Sequence, residues 1–222
     1  MSDNQKQTRI SKLLTVIPIV ISFIALIVSL TTNYSTVLKP FQIDVQVNPK
    51  MAFQYKSNFG IYLDADFLSV SPKGGSIRKL ALVLYRDNSK DNKYLFEFIS
   101  FMQESESSID TISVIEPSPD WLPMFIPPWQ RVSKLMNFIY NSKEQFPIAP
   151  GTYICELLIW IENDEQADYM REIRFEMSSD HVDLYKGRRD KQSTWLNPLY
   201  VTGYTPVISR KLSPEEYRIL IP

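Results

Sequence analysis

The longest apolar stretch of the chain runs from Leu13 to Leu30, LLTVIPIVISFIALIVSL, without a charged residue. As an α-helix its 18 residues would extend about 27 Å, close to the roughly 30 Å hydrocarbon core of a bilayer. Pro18 lies near its start, where the first helical turn has spare N–H groups. The pattern predicts a transmembrane helix at 13–30, through which the chain would be tied to a lipid bilayer.

Two other structures compete for this segment. A cleaved signal peptide has a shorter apolar region, of about 7–15 residues, followed by small residues. The sequence Ser29-Leu30-Thr31-Thr32 fits that site poorly, and no nearby cysteine follows that could carry a lipid. A buried core helix would be apolar on one face, whereas this run is apolar on every face. We expect an uncleaved anchor.

Basic residues on the two sides of the run predict its orientation. Lys6, Arg9 and Lys12 precede it, whereas Lys39 and Lys50 follow within about twenty residues. Because basic residues are retained on the cytoplasmic side, the bias predicts a cytoplasmic N-terminus and an extracytoplasmic C-terminal domain.

After residue 40 the apolar residues follow the period of two that is typical of β-strands. Alternation predicts strands at 41–47, 61–67 and 94–102, and the segment 77–85 is apolar on both faces, as in a central strand. The clearest element is a hairpin of two long strands, 152–161 and 169–177. The register that best fits both patterns places Glu156 opposite Arg174 on the outer face of the hairpin.

Helical patterns are scarcer in this part of the chain. Apolar residues at i, i+3, i+4 and i+7 from Val132 predict a short amphipathic helix over 130–141. A second short helix is expected at Ser213-Pro214-Glu215-Glu216, with serine as cap and proline at the first position.

Together these elements predict a mainly β fold, an antiparallel β-sandwich with an N-terminal transmembrane helix and one or two short helices. The expected organisation is a tail at 1–12, the helix at 13–30, a linker at 31–40, a β-sandwich domain at 41–200 and a tail at 201–222.

The segment Phe146-Pro-Ile-Ala-Pro-Gly-Thr-Tyr153 is a turn that leads into a long apolar strand. It resembles the immunoglobulin-like domains that many bacterial single-pass membrane proteins carry after an N-terminal anchor. The resemblance implies the architecture only. The inter-sheet cysteine pair of antibody domains is absent, and no functional residues carry over.

Charge and reactive residues narrow the classes of function. Without its first thirty residues the chain has 21 basic and 24 acidic side chains, a net charge of −3, which argues against a nucleic-acid partner. Cys155 is the only cysteine and His181 the only histidine, too few for an ordinary zinc site. Asp64 and Asp66 share one face of a strand, as solvated acids usually do. We expect no catalytic site, no metal and no cofactor.

The most unusual local sequence is WLPMFIPPW, residues 121–129. Two interpretations are open: a loop that contacts the membrane surface or a partner protein, or a loop folded over one end of the sandwich as a satellite core. The apolar residues that form the candidate interaction patch are Trp121, Met124, Phe125, Ile126 and Trp129.

The sequence therefore predicts a non-enzymatic, membrane-anchored β-sandwich protein. It would act as an interaction or accessory module at the membrane surface, with a protein partner. The alternative is a membrane effector whose domain faces the cytoplasm and senses a small ligand in a β-domain pocket, as in some anti-phage proteins.

Overall fold

The fold is that of a computed structural model. It describes residues 3–34, 38–55, 59–106, 113–142, 146–161, 165–189, 198–200 and 210–211, with isolated positions after these. Of the helix predicted at 213–216, the structure describes Ser213 and Glu215, and Glu215 is helical.

The first element is helix α1 (Asp3–Asn33), which contains the whole predicted apolar segment. From Val16 to Asn33 it is long and apolar enough to cross a membrane, by length and composition, and none of it is buried against the rest of the protein. A core helix would be buried, so that interpretation is wrong. Beyond α1, the Lys39 amide donates a 2.8 Å hydrogen bond to the Tyr34 carbonyl, which holds Lys39 beside the end of the helix.

Antiparallel strands make up most of the chain after α1, and the prediction of a mainly β, antiparallel fold is confirmed. A second helix, α2, spans Ser179–Arg189. The strands are β1 (Ile43–Tyr55), β2 (Phe59–Ser69), β3 (Gly75–Ile77), β4 (Lys79–Arg86), β5 (Ser89–Glu106), β6 (Ser113–Pro117), β7 (Met124–Ile126), β8 (Arg131–Ile139), β9 (Gly151–Trp160), β10 (Tyr169–Met177), β11 (Pro198–Tyr200) and β12 (Arg210–Lys211).

Hydrogen bonds join ten of the described strands into one sheet, in the order β11-β1-β2-β8-β5-β4-β9-β10-β12 with β6 on β5. This sheet curls into a nearly closed barrel, so that the two expected layers are opposite walls of one sheet. Strands β3 and β7 form a separate two-stranded sheet.

Aromatic side chains pack together inside the barrel, where the two ends of the sheet approach each other. The rings of Phe53 on β1 and Phe175 on β10 lie 5.6 Å apart, although their strands are near opposite ends of the sheet. Tyr185 of α2 packs against Phe53 at 5.8 Å, so that α2 covers this part of the core. Further rings fill the same region of the interior: Phe59, Phe96, Phe146 and Tyr153.

The helix predicted at 130–141 is wrong, because this segment is strand β8 and pairs with both β2 and β5. Near its end β8 is buried on both faces at Met136, Asn137 and Phe138. Burial on both faces removes the alternation of a half-buried strand, and the remaining apolar residues imitate helical spacing.

The predicted hairpin is present as β9 and β10, but its predicted register is wrong by two residues. Glu156 lies opposite Glu172, and Arg174 lies opposite Ile154. Arg174 instead contacts Glu172 on its own strand, with Nε to Oε1 at 2.6 Å. A shift of two residues keeps every side chain on its face, so the apolar pattern alone fits both registers.

The outer face of β9 forms a second, smaller core with β4. Trp160, Leu158 and Ile154 are buried there beside Val83 and Tyr85. Both faces of β4 and β9 are buried, which accounts for their nearly continuous apolar sequences.

Candidate functional site

The predicted patch at 121–129 is divided by strand β7, which pairs with β3. Met124 is 7% exposed and Ile126 is fully buried, and both belong to the main core. Between them, Phe125 points away from the core and is 60% exposed. This is the in–out alternation of a strand that covers one end of a core.

Two tryptophans flank β7 and are also exposed, Trp121 at 67% and Trp129 at 63%. Each of the two interpretations of this segment therefore describes part of it. Met124 and Ile126 are core residues, whereas the exposed aromatic patch consists of Trp121, Phe125 and Trp129. Scattered single apolar residues are normal on a surface, but three large aromatic side chains within nine residues are an unusual exposed set.

The backbone at Trp129 has a conformation that L-residues seldom adopt. Its φ is 56°, and the Gln130 amide donates a 3.3 Å hydrogen bond to the Pro127 carbonyl. With Pro128 at the second position and a positive φ at the third, residues 127–130 form a type II turn. Glycine is favoured at this third position, and a bulky residue there stores roughly 1–3 kcal/mol of strain. The turn thus holds an indole outward at the expense of stability.

Two adjacent glycines support the patch from below. A Cβ at Gly74 would lie 2.7 Å from Cζ of Phe125 and 2.8 Å from the Ile126 carbonyl oxygen. A Cβ at Gly75 would lie 2.2 Å from Cδ1 of Phe41. The rings of Phe125 and Phe41 therefore pack closely over neighbouring peptide units of the same short strand region.

This contact places the patch at the end of the barrel where the chain arrives from α1. Phe41 lies two residues before β1, and the Val70 amide after β2 donates to the Gln42 carbonyl at 3.0 Å. The Ser69 amide donates to the Gln130 carbonyl at 2.9 Å, which ties the turn after the patch to the same end. The aromatic patch and the entry of the domain thus share one end.

Charged residues of both signs lie around this end. Arg131 pairs with Asp66 at 3.5 Å, and Lys134 pairs with Asp120. The hydrogen bond and the charge of Lys134 lower the pKa of the Asp120 carboxyl.

Further basic residues flank β3. Lys73 and Arg78 are exposed, and neither forms an ion pair within the described part of the chain. Basic side chains that no acid neutralises are available to contact an anion.

A cleft of about 320 Å³ opens beside the patch. Arg78, Lys79 and Leu122 contribute to its wall together with Trp160, and Lys79 Nζ lies 4.8 Å from the centre of the Trp160 ring. The cleft extends from Leu122, next to Trp121 in the chain, to the outer face of β4, and it combines basic and aromatic groups with the acidic Glu97.

The other residues considered from the sequence have structural surroundings. Cys155 is fully buried, and burial, with the charge of Glu156, raises the pKa of its thiol. His181 lies at the start of α2, where its backbone amide donates to Ser178 Oγ at 3.3 Å. Asp64 accepts a 2.9 Å hydrogen bond from Asn48, and Asp66 accepts one from Ser133. Among the described residues, no three His, Cys, Asp or Glu side chains come together as metal ligands.

Comparison with known proteins adds no relative: neither models of protein families, nor curated proteins, nor solved structures match this chain.

Proposed function

We propose that this chain is a single-pass membrane protein whose β domain is a non-enzymatic interaction or accessory module at the membrane surface. The observation that carries the proposal is the exposed aromatic patch at the end of the barrel that α1 leads into. The lipid bilayer is one partner, through Leu13–Leu30, and a second protein is the other. Large aromatic side chains on a rigid scaffold suit binding, because ordering them costs little conformational entropy.

The proposed orientation has the N-terminus in the cytoplasm and the β domain outside it, supported by Lys6, Arg9 and Lys12 ahead of the apolar run. A buried, unreactive Cys155 is compatible with an oxidising compartment. The immunoglobulin-like affiliation is also proposed, on the turn at 146–150 that leads into β9, while the continuous barrel-like sheet gives it no further support.

The alternative, a cytoplasmic ligand sensor, requires a pocket within the β domain. The region between β1, β5 and β10 is filled by aromatic rings in contact, as in the stacked pair Phe59–Phe146, 4.6 Å between ring centres, and the edge-to-face pair Phe59–Phe96, 5.8 Å. The clefts at the edges of β4 and β5 open on the outside of the barrel. These observations favour the interaction module.

Membrane association and topology are tested together. The full chain should sediment with membranes, resist extraction at alkaline pH and be released by detergent, whereas a variant without residues 13–30 should not. A reporter active only outside the cytoplasm, fused after Pro222, should be active. Recovery of a mature chain that begins after Leu30, or a silent reporter with a membrane-bound chain, would contradict the anchor or the orientation, respectively.

A further inference from the structure

We infer that the aromatic patch inserts into the lipid headgroup layer of the bilayer that α1 spans, so that the domain rests on the membrane by its β3–β7 end. The inference builds on the proposed anchoring by α1 and specifies what occupies the patch. A protein partner would then bind another surface of the barrel.

The path along the chain from α1 to the patch is short. The hydrogen bond from the Lys39 amide to the Tyr34 carbonyl, 2.8 Å between N and O, holds Lys39 beside the end of α1. Two further residues lead to Phe41, a span of about 7 Å at full extension. Phe41 packs over Gly75, and the next residue back, Gly74, lies under Phe125. The end of the barrel that carries the patch is therefore held close to the end of α1.

The exposed groups have the chemistry of a membrane interface. Tryptophan concentrates at the headgroup depth of membranes because its ring is largely apolar while its N–H forms hydrogen bonds. Tyr34, 60% exposed and just beyond α1, is of the same type and marks the expected level of the interface. The strained turn at Trp129 holds its indole in the exposed position rather than in the core.

Basic side chains lie beside the aromatic patch. Lys73 lies in the turn before Gly74, and Arg78 directly follows β3, so both flank the β3–β7 sheet on which Phe125 stands. Both are exposed and outside the ion pairs of this end. Basic side chains beside membrane-inserted aromatic residues contact lipid phosphates, which every phospholipid offers.

The test measures whether the two tryptophans reach the lipid. The full chain is reconstituted in phosphatidylcholine vesicles with and without lipids brominated near the headgroup, which quench tryptophan fluorescence on contact. A W121F/W129F variant supplies the reference, because Trp160 and Trp195 contribute equally to both proteins. The fluorescence assigned to Trp121 and Trp129 by difference should be mostly lost in brominated vesicles.

A matched control puts a tryptophan at the other end of β4. In the W121F/W129F background, K90W introduces an exposed ring at the β4–β5 turn, where Lys90 is 65% exposed, and this ring should not be quenched. If the wild-type chain floats with vesicles but Trp121 and Trp129 are quenched no more than the ring introduced by K90W, the inference is wrong and the anchor stands. If the chain does not float with vesicles, the proposed anchoring itself fails.

A protein occupant is the competing outcome. If a copurifying protein protects Trp121 and Trp129 from acrylamide in detergent, and brominated lipid leaves them unquenched in vesicles, the patch is a protein interface and the inference is overturned.

Discussion

Tyr85 on β4 donates a hydrogen bond to the buried carboxylate of Glu156 on β9, with Oη and Oε1 2.9 Å apart. Both residues lie on the outer face of the sheet, and Glu156 is only 3% exposed. Burial of the hydroxyl, followed by the charge of Glu156, raises the pKa of Tyr85. A charged group within an apolar face requires such a donor, because an unsatisfied buried carboxylate is costly.

Loss of this donor should destabilise the domain. We expect Y85F to lower the free energy of unfolding by about 1–3 kcal/mol, because it removes a partner of a buried carboxylate. E156Q keeps an acceptor for the Tyr85 hydroxyl and should cost less than E156A. The measurement is denaturant unfolding of the full chain in detergent.

The control for that pair is Y140F. Tyr140 is half-buried and packs against Phe146, but within the described residues its hydroxyl has no hydrogen bond, so the change should cost less than about 0.5 kcal/mol. Equal losses for Y85F and Y140F would show that the Tyr85 contact contributes nothing specific.

The raised pKa values predict a loss of stability in alkali. The ordinary pKa is 9.0 for the thiol and 10.0 for the phenol, and burial raises the pKa of Cys155, Tyr85 and Tyr62. In the folded protein these groups therefore ionise at higher pH than in the unfolded chain. Stability should be complete below the ordinary pKa and decrease above it until the raised pKa is reached, with a limiting slope of about 1.4 kcal/mol per pH unit for each group.

Unfolding measured from about pH 8 to 11 would show this decrease. C155A should remove the slope that begins near the thiol's ordinary pKa, and Y85F should reduce the slope at higher pH. An unchanged slope in both variants would contradict the assignment. The slope is the relevant quantity, because either substitution also changes stability at neutral pH.

How much of the fold the sequence predicts depends on how many faces of each strand are buried. Strands with one polar face, such as those beginning at Ile43 and Tyr169, are predicted from alternation alone. β8 imitates a helix because its second half is buried on both sides. The predicted β9–β10 register pairs Glu156 with Arg174, but Glu156 bonds Tyr85 on β4, a neighbour that lies 71 residues away in the sequence.

The composition of residues 121–129 identifies the candidate site, but it does not show which of these residues are exposed. Because the segment is rich in proline, its sequence does not predict strand β7. The pattern therefore cannot show that Met124 and Ile126 are buried while Phe125 is exposed. The glycine pair at 74–75 is visible in the sequence. The need for glycine there comes from the rings of Phe125 and Phe41, which pack against the two residues. Such contacts between distant segments result from the curling of the sheet into a nearly closed barrel. The local periodicity of the sequence does not predict them.

The packing over the glycines can be tested by adding one methyl group. G74A would bring Cβ within 2.8 Å of the Ile126 carbonyl oxygen, which is backbone and cannot rotate away. We expect a loss of about 1–3 kcal/mol, typical of overpacking.

G187A is the matched control for that substitution. Gly187 lies in α2, and beyond its own helix turn no atom of the described residues comes within 4 Å of the added carbon, so the change should stabilise the protein by about 0.5–1 kcal/mol. A neutral G74A would mean that β3 and β7 are not held at this spacing. Thermal unfolding of both variants makes the comparison.

Strand β7 predicts opposite effects for neighbouring residues. I126A should destabilise the domain by about 2–5 kcal/mol, because Ile126 is fully buried in the main core. F125S should lower the free energy of unfolding much less, since most of the Phe125 ring is exposed. The same change should weaken binding through the aromatic patch. A loss for F125S as large as that for I126A would assign Phe125 to the core.

The turn at Trp129 separates stability from function most sharply. W129G should raise the free energy of unfolding, because relief of roughly 1–3 kcal/mol of strain exceeds the roughly 0.4–1 kcal/mol by which glycine favours the unfolded chain. W129F keeps the positive φ and should show no such gain. W121G, at a position without positive φ, should not stabilise either. If Trp129 is retained for contact with its surroundings, W129G will be the more stable protein and the weaker binder, whereas a marked destabilisation would place the indole in the core.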